Sequence, residues 1–529
     1  MKEKAEDREA YFMKILMIDI DTLRADHLGC YGYERNTSPN IDAIAQDGCL
    51  FTDYYCSDAP CLPSRAALFT GRFGIHSGVA GHGGTAADLR LEGESRNFRD
   101  SCAATNLPAV LRSYGMHTAS VSTFAERHGA WWFAAGFNEM YNLGKGGDEI
   151  AQEVTPVALD WLERNKDRKD WFLHVHYWDP HTQYRTPAEI GNPFEGQPSG
   201  AIDWIDQSTL DEHKKMCGFH SALEATGYTD AIDKGRELRS VGRIETLDDA
   251  RHNVDGYDVG VYNADLGVGQ IVAWLKEQGV YEDTAILVTA DHGEDLGELG
   301  RYSEHGCADY PVTRLPLVVK WPGGQTGASK IGGLHYNTDL IPTLMQLLGA
   351  ENIHIPFEVH LKNMFGPNYR QIYLGLLMER YDGKSFANSI LTGSEDGYEY
   401  LVVTCATHAV QRAVIFDGYI FIRTYHDGYC LFDDEMLYDI HNDPHETKNL
   451  AHELPDVAHK GGYLLERWVA KQMTAGAQRC TVDPIWTVVA EGGGYHSKGQ
   501  LPKYLERLEA TGRKDAADAL RAKYPPKRP

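Results

Sequence analysis

Three short apolar runs in this chain end in groups that can bind a cation or move a proton. Lys14-Ile-Leu-Met-Ile-Asp-Ile-Asp21 ends in two carboxylates. Trp171-Phe-Leu-His-Val-His-Tyr177 runs on to Asp179-Pro-His181, and Thr284-Ala-Ile-Leu-Val-Thr-Ala290 leads into Asp291-His292. Continuous apolar runs of this length suit strands buried on both faces of a parallel sheet. Ligands of such sheets sit beyond the carboxyl ends of the strands. Side chains alternate along a strand, so Asp19 and Asp21 share a side, and Asp21 at the tip is the better ligand. One Asp in such a place reads equally well as a helix cap; three such ends in one sheet favour a site. A fourth stretch, Cys61-Leu-Pro-Ser-Arg65-Ala-Ala-Leu-Phe-Thr-Gly71, enters a helix at Cys61. Pro63 fits the first turn, and the free N–H groups there attract an anion. Arg65, one turn on from Cys61, brings a guanidinium to the same anion. Taken alone, Cys61 reads as a buried thiol or as a thiolate nucleophile made acidic by the helix and Arg65.

The elements that position these groups alternate between strand and helix. Asn40–Gly48, Ser64–Phe69, Leu107–Tyr114, Glu153–Arg164, Tyr257–Gly279 and Asp339–Leu348 read as helices. Thr118–Ser122 and Leu315–Lys320 read as further strands. The alternation predicts a doubly wound, mostly parallel α/β sheet over roughly residues 12–350. Residues 186–256 form a polar insertion of weak helical pattern. From about Tyr369 the pattern turns to short β-rich runs, Tyr400–Thr404, Arg412–Phe416 and Tyr419–Arg423, which predict a smaller antiparallel sheet. Leu501–Tyr524 reads as one charged, solvated helix. No internal repeat is present. Two domains are expected, a catalytic α/β domain over 12–365 and a C-terminal α+β subdomain with a helical tail over 366–529.

Cys61-x-Pro63-Ser64-Arg65, followed by Ala-Ala-Leu-Phe-Thr-Gly71-Arg72, closely resembles the type I sulfatase motif, whose cysteine is converted to formylglycine. Asp21-Thr-Leu-Arg-Ala-Asp-His-Leu-Gly-Cys-Tyr-Gly32 is similar to that family's first metal segment, and Thr289-Ala-Asp291-His292-Gly-Glu294 to its second. Leu437-Tyr-Asp-Ile-His-Asn-Asp-Pro-His-Glu446 and Asn449-Leu-Ala451 are similar to its C-terminal signature. The resemblance covers most of the chain. It implies the alkaline phosphatase-like sulfatase fold, a large mixed, mostly parallel sheet flanked by helices. It also implies hydrolysis of a sulfate monoester on a sugar or an aryl alcohol. By motif position Asp21, Asp291 and His292 correspond to metal ligands, with residue 61 completing the site. Calcium is the first choice of cation, and Mg²⁺, Mn²⁺ or Zn²⁺ also suit such donors. In the mechanism so implied, the hydrated aldehyde attacks sulfur in line, the alcohol leaves from the far side, and the second hydroxyl then expels sulfate.

The resemblance also supplies softer assignments. His181 matches the family's histidine near the substrate oxygens, and His305 falls where a leaving-group Lys or His is common; either suits a general acid. His82 falls where some relatives place a substrate-binding Asn, and Thr123 and Tyr184 join it as substrate-binding candidates. The family's Lys-x-His segment after Val121 is missing, and Thr123, Phe124, Arg127 and His128 stand in that neighbourhood. Trp131-Trp132-Phe133 suits either a pocket wall or the core. Two departures stand out: Asp-His in place of the frequent Asp-Asn, and Thr22 in place of a second Asp. Both occur in phosphonate monoester hydrolases, so a phosphonate monoester or phosphodiester hydrolase is the alternative within the superfamily. A non-catalytic anion- or glycan-binding protein on a degenerate scaffold is the alternative of another class.

Composition bounds the rest. The chain has 529 residues, 42% hydrophobic and 24% charged, which fits a globular protein and not a disordered one. Its formal net charge of −25 argues against a nucleic-acid partner. No run approaches the roughly 20 apolar residues of a membrane span, and the acidic first ten residues do not resemble a signal peptide. Ten cysteines, none in a Cys-x-x-Cys pair, argue for reduced thiols rather than a disulfide scaffold. The expectation is a cytoplasmic enzyme that meets a formylglycine-generating maturase and a sulfated small molecule or glycan.

Overall fold

A computed structural model describes residues 13–90, 102–231, 239–349, 352–356, 358–476 and 482–525. Its main sheet has eight strands, in the order Ser329–Ile331, Cys49–Phe51, Leu317–Lys320, Thr284–Thr289, Lys14–Ile20, Trp171–Tyr177, His117–Val121 and Glu139–Tyr141. The last five run parallel, and Leu317–Lys320 is antiparallel to both of its neighbours. The sheet is therefore mixed and mostly parallel, as the strand–helix alternation predicts. The strand Lys14–Ile20 sits at its centre, with Trp171–Tyr177 on one side and Thr284–Thr289 on the other. Asp19 pairs in register with His176 and with Thr289. The three strand ends that the sequence singles out are thus adjacent.

Helices cover the sheet. Ala151–Asn165 packs on the long helix Leu247–Glu277, which also packs on Pro39–Gln46. The long helix begins ten residues before the expected Tyr257. A reciprocal cap between Thr246 and Asp249 starts it, and its first turns are too polar to show an apolar stripe. Gly260 lets this helix approach the backbone of Asp179 and Pro180. A Cβ there would lie 2.7 Å from the Asp179 carbonyl oxygen.

The second sheet has five strands, ordered Glu435–Asp439, Tyr419–His426, Val410–Phe416, Leu401–Cys405 and Asp58–Ala59. The first four are antiparallel, as predicted for the C-terminal region. The fifth comes from the N-terminal half and joins in parallel beside Leu401–Cys405. It ends two residues before Cys61, so the C-terminal sheet helps to aim the helix that follows. Residues Tyr369–Met378 are helical rather than β-rich. The predicted tail helix is two helices, Leu501–Ala510 and Lys514–Lys523, separated at Gly512 with φ +80°. The helix Pro455–Gly476, which packs on the strands Val410–Phe416 and Tyr419–His426, was not foreseen. Among the described residues no helix is long and apolar enough to cross a membrane.

Candidate active site

The helix Cys61–Thr70 is buried along its whole length and stops at Gly71, whose φ of +65° a side chain would resist. Cys61 and Arg65, four residues apart, lie on one face of it. That face meets the three strand ends. Arg65 is wholly buried and all three guanidinium nitrogens are engaged. Nε and Nη2 grip the two oxygens of Asp19 at 2.8 and 3.1 Å, and Nη1 reaches Asp21 at 2.9 Å and Asp291 at 2.5 Å. Nη2 also donates to His176 Nε2 at 2.6 Å. His176 in turn contacts Ser122 Oγ through Nδ1 at 2.9 Å. Arg65 is thus the counter-ion of the carboxylate cluster. Burial alone would raise the carboxyls of Asp19 and Asp21, but the guanidinium and the neighbouring histidines together outweigh it and both are held well below the usual range. Asp291 moves the other way, because burial and the charges of Asp21 and Asp19 outweigh Arg65.

Ligand atoms of Asp21, Cys61, Asp291 and His292 all lie within 4.8 Å of one another, and all four residues are buried. His292 Nδ1 lies 2.8 Å from the carbonyl oxygen of Gly293 and donates to it. Its Nε2 therefore carries a lone pair, 3.1 Å from Cys61 Sγ and 3.7 Å from Asp21 Oδ1. Burial and the neighbouring His305 keep this imidazole neutral, with its pKa lowered to about 3. Asp21 Oδ1 is buried without a hydrogen-bond partner among the described residues. An anionic oxygen left unpaired beside a neutral imidazole lone pair fits a divalent cation. Thr22, at φ +57°, contributes no carboxylate; its backbone N–H points to Asp291 Oδ1 at 3.3 Å.

Cys61 forms part of the floor of a cavity of about 740 Å³. Burial pushes its thiol up to about 12, with the carboxylates of Asp21 and Asp291 adding to the effect. Of the two readings of Cys61 taken alone, the buried thiol holds rather than the thiolate acidified by the helix and Arg65, because the guanidinium is spent on three carboxylates. His181 and His305 line the cavity, their rings 5.2 Å apart, and the His305 ring lies 4.3 Å from that of His292. His305 Nδ1 sits 2.9 Å from Glu294 Oε2. Burial works against a proton on His305, but Glu304, Cys61 and Glu294 together hold its pKa well above that of a free histidine. His82 also lines the cavity, with Nδ1 3.3 Å from His496 Nε2.

Two sequence-derived candidates are not brought to the cavity wall. Thr123 spends its hydroxyl on Glu149 at 2.8 Å and receives the indole N–H of Trp178 at 3.1 Å. The wall at that point is made by Arg127 and His128, on the helical turn that follows. Tyr184 is wholly buried, and its hydroxyl donates to Glu294 Oε1 at 3.0 Å. It holds the carboxylate that holds His305. Trp132 and Phe133 belong to the core, and Trp131 is half exposed away from the cavity. Asp179 is structural: its Oδ1 accepts from the first N–H of the helix Ala151–Asn165 at 3.2 Å and from Asn263 at 2.5 Å.

The remaining wall comes from segments without a local motif. His220 and Thr226 belong to the 186–256 insertion, while Thr407, His408, Tyr495 and His496 belong to the C-terminal region. Glu304 faces His220 at 2.8 Å and His408 at 3.7 Å. Asn337 was also missed. Its amide nitrogen donates to Ser64 O and Oγ and its oxygen accepts from Ser57 N, all at 3.1 Å, so it fixes the entry to the Cys61 helix.

The sulfatase family profile matches residues 14–350. An N-acetylglucosamine-6-O-sulfatase of Bacteroides thetaiotaomicron is 22% identical over 85% of this chain and 83% of its own length. A protein solved in complex with its substrate D-glucosamine-2-N,6-O-disulfate superposes with a TM-score of 0.64 at 18% identity, covering 90% of this chain and 99% of that one. The phosphonate monoester hydrolase of Agrobacterium radiobacter superposes with a TM-score of 0.61 at 19% identity, over 88% of this chain and 96% of that one. The protein is an enzyme, and the reading as a non-catalytic binder falls away. With matched residues spanning the Asp21 and Asp291–His292 segments and the Cys61 motif, the chain belongs to the sulfatase family.

Proposed function

We propose that this sulfatase hydrolyses a sulfate monoester carried by a sugar, using a nucleophile made from Cys61 and one divalent cation held by Asp21, Asp291 and His292. The observation that carries the reading is the convergence of those four residues, their ligand atoms within 4.8 Å of one another, beneath a 740 Å³ cavity that Cys61 lines. A cavity of that size suits a small saccharide, and the N-acetylglucosamine-6-O-sulfatase to which the chain is similar supports a sugar sulfate. When present, the cation supplies Lewis-acid charge, calcium being the first choice, and formylglycine formed from Cys61 supplies a nucleophilic oxygen. A formylglycine-generating maturase is the partner this requires.

The chain's own residues have separable roles. Arg65 holds Asp19, Asp21 and Asp291 in one arrangement. His292 presents a neutral Nε2, fixed by the Gly293 carbonyl. His305 stands over position 61 with a proton held by Glu294 and Glu304, which suits it to protonate the departing alcohol. His181, whose Nδ1 lies 2.5 Å from the Thr182 carbonyl oxygen, offers its other nitrogen to a substrate oxygen. Arg127 lines the cavity over the face of Trp178 and has no carboxylate partner among the described residues. The other arginine of the wall, Arg185, is paired with Asp148 at 3.0 Å.

A phosphodiester or phosphonate monoester carries the same single charge as a sulfate monoester, so rates must separate them. Protein co-expressed with a maturase is to be assayed side by side on glucosamine sulfates and on a phosphonate monoester. Preference for the sulfate is expected; a clear preference for phosphorus overturns the reading.

A further inference from the structure

A second group of metal-binding residue types lies outside the cavity. Asp295, Cys307 and Asp309 are wholly buried, with ligand atoms within 4.8 Å of one another. Neither oxygen of Asp295 meets a hydrogen-bond donor among the described residues. Asp309 precedes the short helix Tyr310–Thr313, yet its side chain does not cap it; its carboxyl faces Asp295 instead. Glu446, from the C-terminal signature, adds its charge beside theirs. Its Oε1 accepts the Tyr310 N–H at 2.9 Å, while Oε2 is buried without a partner among the described residues.

Among the described residues no arginine, lysine or histidine forms an ion pair with Asp295, Asp309 or Glu446. Arg24 is taken by Asp26 at 2.7 Å and Glu298 at 2.9 Å, and His445 by the same Glu298 at 2.9 Å. Burial and mutual repulsion push Asp295 and Glu446 well above the ordinary carboxylate range. Unpaired buried carboxylates are costly, and a divalent cation removes the cost if donors converge on it. Oxygen donors alone would suit calcium or magnesium, but a thiol among them selects a transition metal. Glu446 also borders a second cavity, of about 560 Å³, which brings solvent to the edge of the group.

We propose that Asp295, Cys307 and Asp309, with Glu446, form a second cation site that takes a divalent transition metal, zinc in first place. Such an ion would tie the loop after the Asp291–His292 strand end to the C-terminal signature, a structural role separate from turnover.

The test uses full-length protein carrying Asp21→Asn and Cys61→Ala, which disable the active-site ligands. Grown with zinc and measured by elemental analysis as purified, it is expected to hold about one equivalent of zinc per chain. Adding Cys307→Ser or Asp309→Asn is expected to lower that at least tenfold. Grown with cobalt, the parent is expected to show a thiolate-to-cobalt charge-transfer band that Cys307→Ser removes. Metal-free parent protein would mean that Asp295 and Asp309 merely share a proton, and would overturn the proposal. So would zinc retained in both added variants, or cobalt bound without the thiolate band. Should Asp309→Asn fail to fold, Cys307→Ser, which changes one atom, decides with the cobalt spectrum.

Discussion

Cys61 Sγ lies 3.1 Å from His292 Nε2, and the other nitrogen of that imidazole is spent on the Gly293 carbonyl. The thiol and a neutral imidazole nitrogen therefore face one point. Conversion of Cys61 to formylglycine should lower the mass of the peptide containing it by about 18 Da. Cys61→Ala should reduce turnover to background while costing about 1 kcal/mol of stability, the scale of a small buried truncation. Mass spectrometry, rates on a sulfated sugar and thermal melts check this, and an active Cys61→Ala protein would refute the nucleophile.

Metal removal should abolish turnover without unfolding the chain, because Arg65 still bridges Asp19, Asp21 and Asp291. After chelation, activity should return with Ca²⁺. Asp21→Asn, which removes the anionic charge from the unpartnered Oδ1, should raise the Ca²⁺ concentration for half-activity at least tenfold, equivalent to about 1.4 kcal/mol. A calcium titration with activity as readout decides it; an unchanged midpoint would exclude Asp21 as a ligand.

Arg65→Met should destabilise the protein by roughly 3–5 kcal/mol, since it leaves buried carboxylates without their partner. Arg65→Lys keeps the charge but not the fork that serves Asp19, Asp21, Asp291 and His176 together, so most of that loss should remain. Denaturant unfolding of both variants measures it. A lysine variant as stable as the parent would show that charge alone suffices.

Tyr184→Phe separates the two roles assigned to that residue. If its hydroxyl positions Glu294, and through it His305, kcat should fall roughly fivefold, the worth of about 1 kcal/mol for one buried hydrogen bond, with KM unchanged. The alkaline limb of the kcat profile should also move. A rise in KM at constant kcat would instead make Tyr184 the substrate contact that the sequence suggests.

Asp179 has its carboxyl pushed up to about 7, burial outweighing the bonds from Ala151 and Asn263. A folded-state value above the unfolded one contributes stability that is fully present below the unfolded value. It is lost as pH rises through 7. Asp179→Asn carries no titrating group there, so melting temperatures from pH 5 to 8 should show the variant gaining on the parent as pH rises. Activity should persist in Asp179→Asn. A difference independent of pH would show that Asp179 does not titrate in this range.

Local chemistry was legible in the chain itself. Apolar runs ending in Asp19–Asp21, Asp291 and His292, and the spacing of Cys61 and Arg65 along one helix, are set by short-range periodicity, so the central strands and the acidic corner at their ends could be read directly, while the resemblance to sulfatases supplied its reading as a metal site. Packing decided the rest. Thr123 and Tyr184 stand beside motif residues in sequence, but the direction of their side chains is fixed by Glu149 and Glu294, from remote turns. The acidic-thiol reading of Cys61 failed because three carboxylates claim Arg65, an outcome that depends on how adjacent strands align. His220, His408 and His496 carry no motif, and reach the cavity only because the insertion and the C-terminal sheet fold back over the strand ends. Periodicity acts over a few residues, whereas a pocket wall is settled by which distant surfaces bury each other.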